Sequence, residues 1–104
     1  MTAQEAITQV DSILPYARVW ARRASTNFDD EICQTLAAGL LDLQNAGVVR
    51  LDIRDPLIQQ AEKLYLKANF GSDPNADKFA QAYGYLKASL SLSGDYNGGA
   101  QIDP

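Results

Sequence analysis

The densest run of proton-handling side chains in this sequence is Asp29, Asp30 and Glu31. Paired carboxylates perform general acid–base chemistry when a pocket sets their protonation. Here they follow a polar break, Ser25-Thr26-Asn27, and stand at the head of an apolar run, Ile32, Leu36, Leu40 and Leu43, spaced four, four and three. Negative charge at a helix N-terminus is favoured by the helix dipole, so the triplet reads as a helix start. Histidine is absent and Cys33 is the single cysteine. A metal site of the usual His/Cys kind, a triad with a His base and an internal disulfide are therefore outside this chain's means, and no cofactor is implied. Cys33 sits in the apolar pattern beside Ile32 and reads as a small core residue. There is no Gly-rich phosphate loop, nucleophile elbow or CxxC pair. An enzyme would have to be built from Asp, Glu, Lys and Tyr without an anchoring motif.

The other chemistry open to the chain is recognition by charge. Nine Lys/Arg against thirteen Asp/Glu leave a net charge of −4, which disfavours whole-surface attraction to nucleic acid phosphates or anionic lipid. Arg18, Arg22 and Arg23 form the one obvious basic cluster. They read either as a solvated helix face or as an interface. Among the aromatics, Tyr65, Phe70, Phe79, Tyr83 and Tyr85 recur at helical spacing and read as core rather than as a base-stacking platform.

These groups need elements to hold them, and the spacing of apolar residues supplies the elements. Thr2 with Glu5 is a capping-box pattern, and Ile7, Val10 and Leu14 follow, which predicts a helix over about 3–14. Pro15 should interrupt it, with a second short helix over 16–24 that carries Val19 and Trp20. The third helix runs from the acidic triplet to Gly47, a good terminator. Over 48–55 the period changes to two, with Val49, Leu51 and Ile53 alternating against Arg50, Asp52 and Arg54. That segment either lies over the helices as a connector or pairs with another subunit by edge addition. Asp55-Pro56 then starts a helix with Leu57, Ala61, Leu64 and Ala68 on its stripe, widened by Ile58 and Tyr65, and Gly71 ends it. Asp73-Pro74 repeats the signal for a last helix lined by Phe79, Tyr83, Leu86 and Leu90, so the two form a short-looped hairpin. Beyond Leu90 the glycine-rich run predicts a flexible tail whose Leu92, Tyr96 and Ile102 are free to order on a partner.

The expected fold is thus all-α: a bundle of four to five helices over 1–90, an extended segment over 48–55, and a tail over 91–104. With 104 residues and 46% apolar content the chain is one domain, small enough that association is a natural way to add burial. No run reaches a membrane span, and the N-terminus lacks the charge and apolar pattern of a signal peptide, so synthesis in the cytoplasm is expected.

Three stretches, FDDEICQTLAAGLLDLQNAGV, DPLIQQAEKLYLKANFG and DPNADKFAQAYGYLKASLSLSGDY, together resemble the head–tail connector family of tailed phages, small helical adaptor proteins of the completed head. The resemblance covers about 28–96, and the order and spacing of the segments carry it. It implies a structural virion protein made in the host bacterial cytoplasm. It further implies a ring, dodecameric when assembled, docked beneath the portal protein, extending the DNA channel and receiving a stopper or tail-completion protein. Double-stranded DNA would pass through the lumen without specific binding, which a net negative chain favours. In such proteins the C-terminal segment and the loop between the middle helices order on assembly. Residues expected at the portal or subunit interface are Arg18, Trp20, Arg22, Arg23, Arg50, Asp52, Arg54, Leu92, Tyr96 and Ile102. The competing reading is a small helical DNA-binding regulator, with 16–26 as its basic recognition helix.

Overall fold

A computed structural model describes residues 1–99; the expectation for Ile102 lies outside the described residues. Five α-helices follow one another: α1 (Ala3–Asp11), α2 (Leu14–Ala21), α3 (Asp29–Asn45), α4 (Pro56–Asn69) and α5 (Ala76–Leu92), with a single 3-10 turn (Thr26–Phe28) leading into α3. No strand occurs among the described residues. The all-α architecture read from the sequence is the one observed.

The N-terminal capping box forms as the sequence predicts: the Thr2 amide donates to Glu5 Oε1 at 2.9 Å and the Glu5 amide to Thr2 Oγ1 at 3.1 Å. The break after α1 falls at Ser12-Ile13, slightly earlier than expected, and Pro15 belongs to the first turn of α2. A proline there has no intrahelical N–H to lose, so it opens a helix more readily than it ends one. α2 ends earlier than 24 because Arg22 takes a left-handed conformation at φ 56°.

Helix α3 is the spine. Ile32, Leu36, Leu40 and Leu43 are all fully buried, the stripe the spacing predicts. α1 packs on α3, α3 on α4, and α4 on α5, while α2 bridges α3 and α4. After α3, Gly47 turns with φ 102° and the Val48 amide reaches back to the Leu43 carbonyl at 3.0 Å.

Residues 48–55 cross the helices as a connector. Val48, Leu51 and Ile53 are buried while Val49 and Arg50 are exposed, so the expected alternation holds only from Leu51 to Ile53. The Ile53 amide, lacking a strand partner, donates to Gln9 Oε1 at 3.0 Å.

Helix α4 opens as predicted, with Asp55 accepting from the Leu57 amide at 2.9 Å. It is rotated from the expected stripe: Ile58, Ala61, Glu62 and Leu66 are buried while Leu57 is 44% exposed. α5 begins at Ala76, two residues beyond Pro74, because Asp73 first folds back to accept from the Asn75 amide at 2.7 Å. Tyr83 and Leu90 face the core, with Phe79 and Leu86 half-buried beside them.

Candidate interaction surfaces

The basic cluster on α2 divides into three residues with different roles. Arg18 makes a two-pronged contact with Asp29, Nε to Oδ1 and Nη2 to Oδ2, each at 2.8 Å. The hydrogen bonds from Arg18 hold the Asp29 carboxyl below the usual aspartate range. The first member of the acidic triplet thus ties α2 to the start of α3 as well as opening that helix. Arg23 lies over two rings, its guanidinium carbon 5.0 Å from the Phe28 centroid and 5.5 Å from that of Phe70. The rings themselves meet edge to face at 6.2 Å. Only Arg22 is left exposed at the helix end with no carboxylate partner among the described residues. Trp20 is half-buried against the core, and its carbonyl accepts from Lys67 Nζ at 3.4 Å. A small cleft of about 190 Å³ lies where Trp20, Phe70 and Pro74 come together.

A second group joins the extended segment to the tail. The Tyr96 hydroxyl donates to the Asp55 carboxylate, 2.9 Å from Oδ1 and 3.0 Å from Oδ2. The Tyr96 carbonyl accepts from the amides of Val49 and Arg50 at 2.8 and 3.1 Å. Arg50 lies over the Tyr96 ring at 5.6 Å, with its Nε 3.7 Å from Asp55. Gly98 passes so close to Val49 that a β-carbon there would lie 2.8 Å from Cγ2. Asp52 and Arg54 pair with each other at the surface, 3.5 Å apart. Beside them a groove of about 720 Å³ runs between α1 and the 48–55 segment, lined by Met1, Gln9, Val49, Leu51 and Ile53 among others.

The third group is one the sequence reading missed. Glu62 is fully buried and neither carboxyl oxygen has a hydrogen-bond partner among the described residues. Burial pushes its carboxyl well above the ordinary glutamate value, disfavouring the charged form. Its neighbours are Gly39 and the Tyr65 ring, which stacks edge to face with Tyr83 at 5.0 Å. Tyr83 in turn donates to Asp42 at 2.6 Å, and Lys87 reaches the same Asp42 oxygen at 3.0 Å. Burial raises the Asp42 carboxyl, but the hydrogen bonds from Tyr83 and Lys87 outweigh it and hold the group below its usual value. A period-of-four glutamate between Ile58 and Leu66 was the signal available for Glu62; glutamate in such a position is ordinarily solvated.

Among the described residues no three His, Cys, Asp or Glu side chains are grouped so as to hold a metal, and Glu62 lines none of the clefts above. What the surface does offer is exposed apolar area on the outer sides of α2 and α5: Tyr16 at 64%, Val19 at 74%, Tyr85 at 72% and Leu92 at 71%. Tyr85, read as core from its spacing, therefore points to solvent; the buried side of α5 is centred on Tyr83 and Leu90 instead.

Comparison with known families decides the class. The phage connector protein family matches residues 18–97, from the middle of α2 to the tail segment that docks on Asp55. The chain belongs to this family. The connector family is structural, not enzymatic, and the connector protein described here presents interlocked helices and exposed apolar faces. No curated protein and no solved structure matches the chain. No described helix of this connector is long and apolar enough to cross a membrane.

Proposed function

We propose that this connector protein is an adaptor subunit of the tailed-phage virion. It assembles as a ring beneath the portal protein, extends the DNA channel and presents the surface on which a stopper or tail-completion protein docks. The observation that supports the reading is the family match running through α3, α4, α5 and the Tyr96 segment. The exposed apolar faces on α2 and α5 are the kind of surface that subunit contacts cover.

In this reading the expected interface residues divide by what already holds them. Arg18, Arg23, Arg50 and Tyr96 shape the surface through contacts within the subunit. Arg22 and Leu92 are free to meet another chain. Asp52 and Arg54 form an exposed rim pair that a partner exchanges at small cost. The segment past Leu90 completes its docking on assembly. DNA slides through a lumen of low affinity, since the chain carries net charge −4.

The regulator reading has less to work with. A recognition helix on α2 would offer phosphate only Arg22, as Arg18 is committed to Asp29 and Arg23 to two rings.

The test is the mass in solution of the purified protein, alone and with a portal ring of the same phage, by light scattering on a sizing column. Saturable co-elution at ring-like stoichiometry is the expected result. Failure to associate with a folded portal ring at high concentration would overturn the adaptor reading.

A further inference from the structure

Two exposed faces on different helices match in character and in order. On α2, Tyr16, Val19 and Arg22 lie along one side, apolar at the N-terminal end and cationic at the C-terminal end. On α5, Asp77, Gln81, Tyr85, Ala88 and Leu92 share the side opposite Tyr83 and Leu90, acidic at the N-terminal end and apolar beyond. Asp77, like Arg22, is exposed and has no salt-bridge partner among the described residues. Both helices pack on α4. The two faces are distinct patches of one subunit, as a head-to-tail contact requires.

We infer that the outer face of α2 on one copy of this chain packs antiparallel on the outer face of α5 of the next, with Arg22 against Asp77 and Val19 and Tyr16 against Gln81 and Tyr85. The inference rests on the ring reading above and names the contact that closes it. Antiparallel packing places the α2 C-terminus beside the α5 N-terminus, where the helix dipoles attract. The spacings run in the same order: back from Arg22, Val19 and Tyr16 lie ~4.5 and ~9 Å along the axis, and on from Asp77, Gln81 and Tyr85 lie ~6 and ~12 Å. A contact between unlike faces leaves an α2 face free at one end of the chain of subunits and an α5 face free at the other, so it propagates until a ring closes.

Arg22 stands at a turn that presents its side chain beyond the helix end. It ends α2 at φ 56°, ψ 43°, a conformation that glycine adopts freely and that an L side chain takes at a cost. Among the described residues its guanidinium makes no ion pair. The turn itself is held within the subunit by the Arg22 and Arg23 amides, which donate to the Val19 and Arg18 carbonyls at 3.1 and 2.9 Å, so it is the unpaired guanidinium, not the backbone, that is available to another chain.

Single-cysteine variants test the contact directly. In a Cys33→Ser background, Val19→Cys protein and Gln81→Cys protein, which the Arg22–Asp77 register sets opposite each other, are oxidised separately and as a mixture, alone and on the portal ring. Disulfide-linked dimers arising chiefly in the mixture are expected. Dimers in the Val19→Cys sample alone would show a two-fold contact and overturn the inference. Rings that form without Val19–Gln81 cross-linking would overturn it while leaving the adaptor reading intact, whereas absence of association under every condition would remove both. A charge cycle gives the second readout. Arg22→Glu and Asp77→Arg should each lower the assembled fraction by roughly tenfold or more, and combining them should restore it. Losses that simply add, in variants whose thermal unfolding shows them folded, would count against the pairing. Arg22→Gly separates strain from contact: the isolated subunit should unfold at higher temperature while assembly weakens.

Discussion

Tyr96 and Asp55 stand 41 positions apart in the chain, yet the phenol donates to both oxygens of that carboxylate at 2.9 and 3.0 Å. The same carboxylate caps α4 through the Leu57 amide, so one side chain anchors a helix start and the returning tail. Asp55→Ala removes both and should cost about 2 kcal/mol in urea unfolding. Asp55→Asn keeps the cap, since asparagine caps as well as aspartate, and should cost clearly less. Tyr96→Phe leaves α4 intact but frees the tail, so faster hydrogen exchange at the Val49 and Arg50 amides, with little change at Leu57, is the expected pattern. Uniform acceleration across all three would show that the latch and the cap are one unit.

Gly39 is the position where α3 makes room for α4. A β-carbon there would overlap Glu62 Oε1 and come within 3.0 and 3.1 Å of the Tyr65 ring. Alanine in a helix interior is favoured over glycine by about 1 kcal/mol. Overpacking a closed core costs about 1–3 kcal/mol, and here the carboxylate has no solvent to retreat into. Gly39→Ala should therefore destabilise by on the order of 1 kcal/mol net. In a Glu62→Ala background the same change should cost less, a coupling that a double-mutant cycle in urea measures. A stabilising Gly39→Ala would mean that α4 shifts freely on α3.

These two relationships show what was legible in the sequence. The all-α architecture, the α3 stripe and the caps at Thr2 and Asp55 follow from local spacing and local hydrogen bonds, which a linear reading contains. The rotation of α4 does not, because Leu57 and Ile58 are equally apolar and only the glycine on a neighbouring helix decides which faces inward. Tyr85 was misread for a similar reason. Its spacing from Leu92 is as helical as that of Tyr83 from Leu90, and a helix with apolar residues on two sides declares its buried side only by packing. The arginine cluster was legible as charge, but its division into an ion pair, a stacked residue and a free one depends on Asp29, Phe28 and Phe70 arriving from other elements.

Arg23 should behave as a structural clamp. Its guanidinium bridges Phe28, just before α3, and Phe70, which ends α4, at 5.0 and 5.5 Å. Each such contact contributes about 0.5–1 kcal/mol at a partly exposed site. Arg23→Ala should lower stability by about 1–2 kcal/mol, read as a drop in unfolding temperature, whereas Arg22→Ala should not lower it. Equal effects of the two substitutions would mean that the rings do not discriminate between neighbouring arginines.

The pH dependence of folding should carry the signature of Glu62. Its folded-state pKa is raised well above 4.5 by burial, so the folded chain holds a proton that the unfolded chain releases. The contribution is fully present below the unfolded value and declines as pH rises from there towards the folded one, with a slope of at most about 1.4 kcal/mol per pH unit. Asp42 works in the opposite sense: its lowered pKa gives stability that is present above 3.8 and is lost as pH falls through the folded value. Stability should therefore be greatest in mildly acidic solution. The urea midpoint of the natural sequence should fall between about pH 5 and pH 8. Glu62→Gln, uncharged and nearly the same size, should remove that fall and raise the midpoint near neutrality, while keeping the acid-side loss to which Asp42 and Asp29 contribute. A midpoint flat with pH in the natural sequence, or one that still falls in Glu62→Gln, would show that the carboxylate reaches water and that α3 and α4 do not seal it.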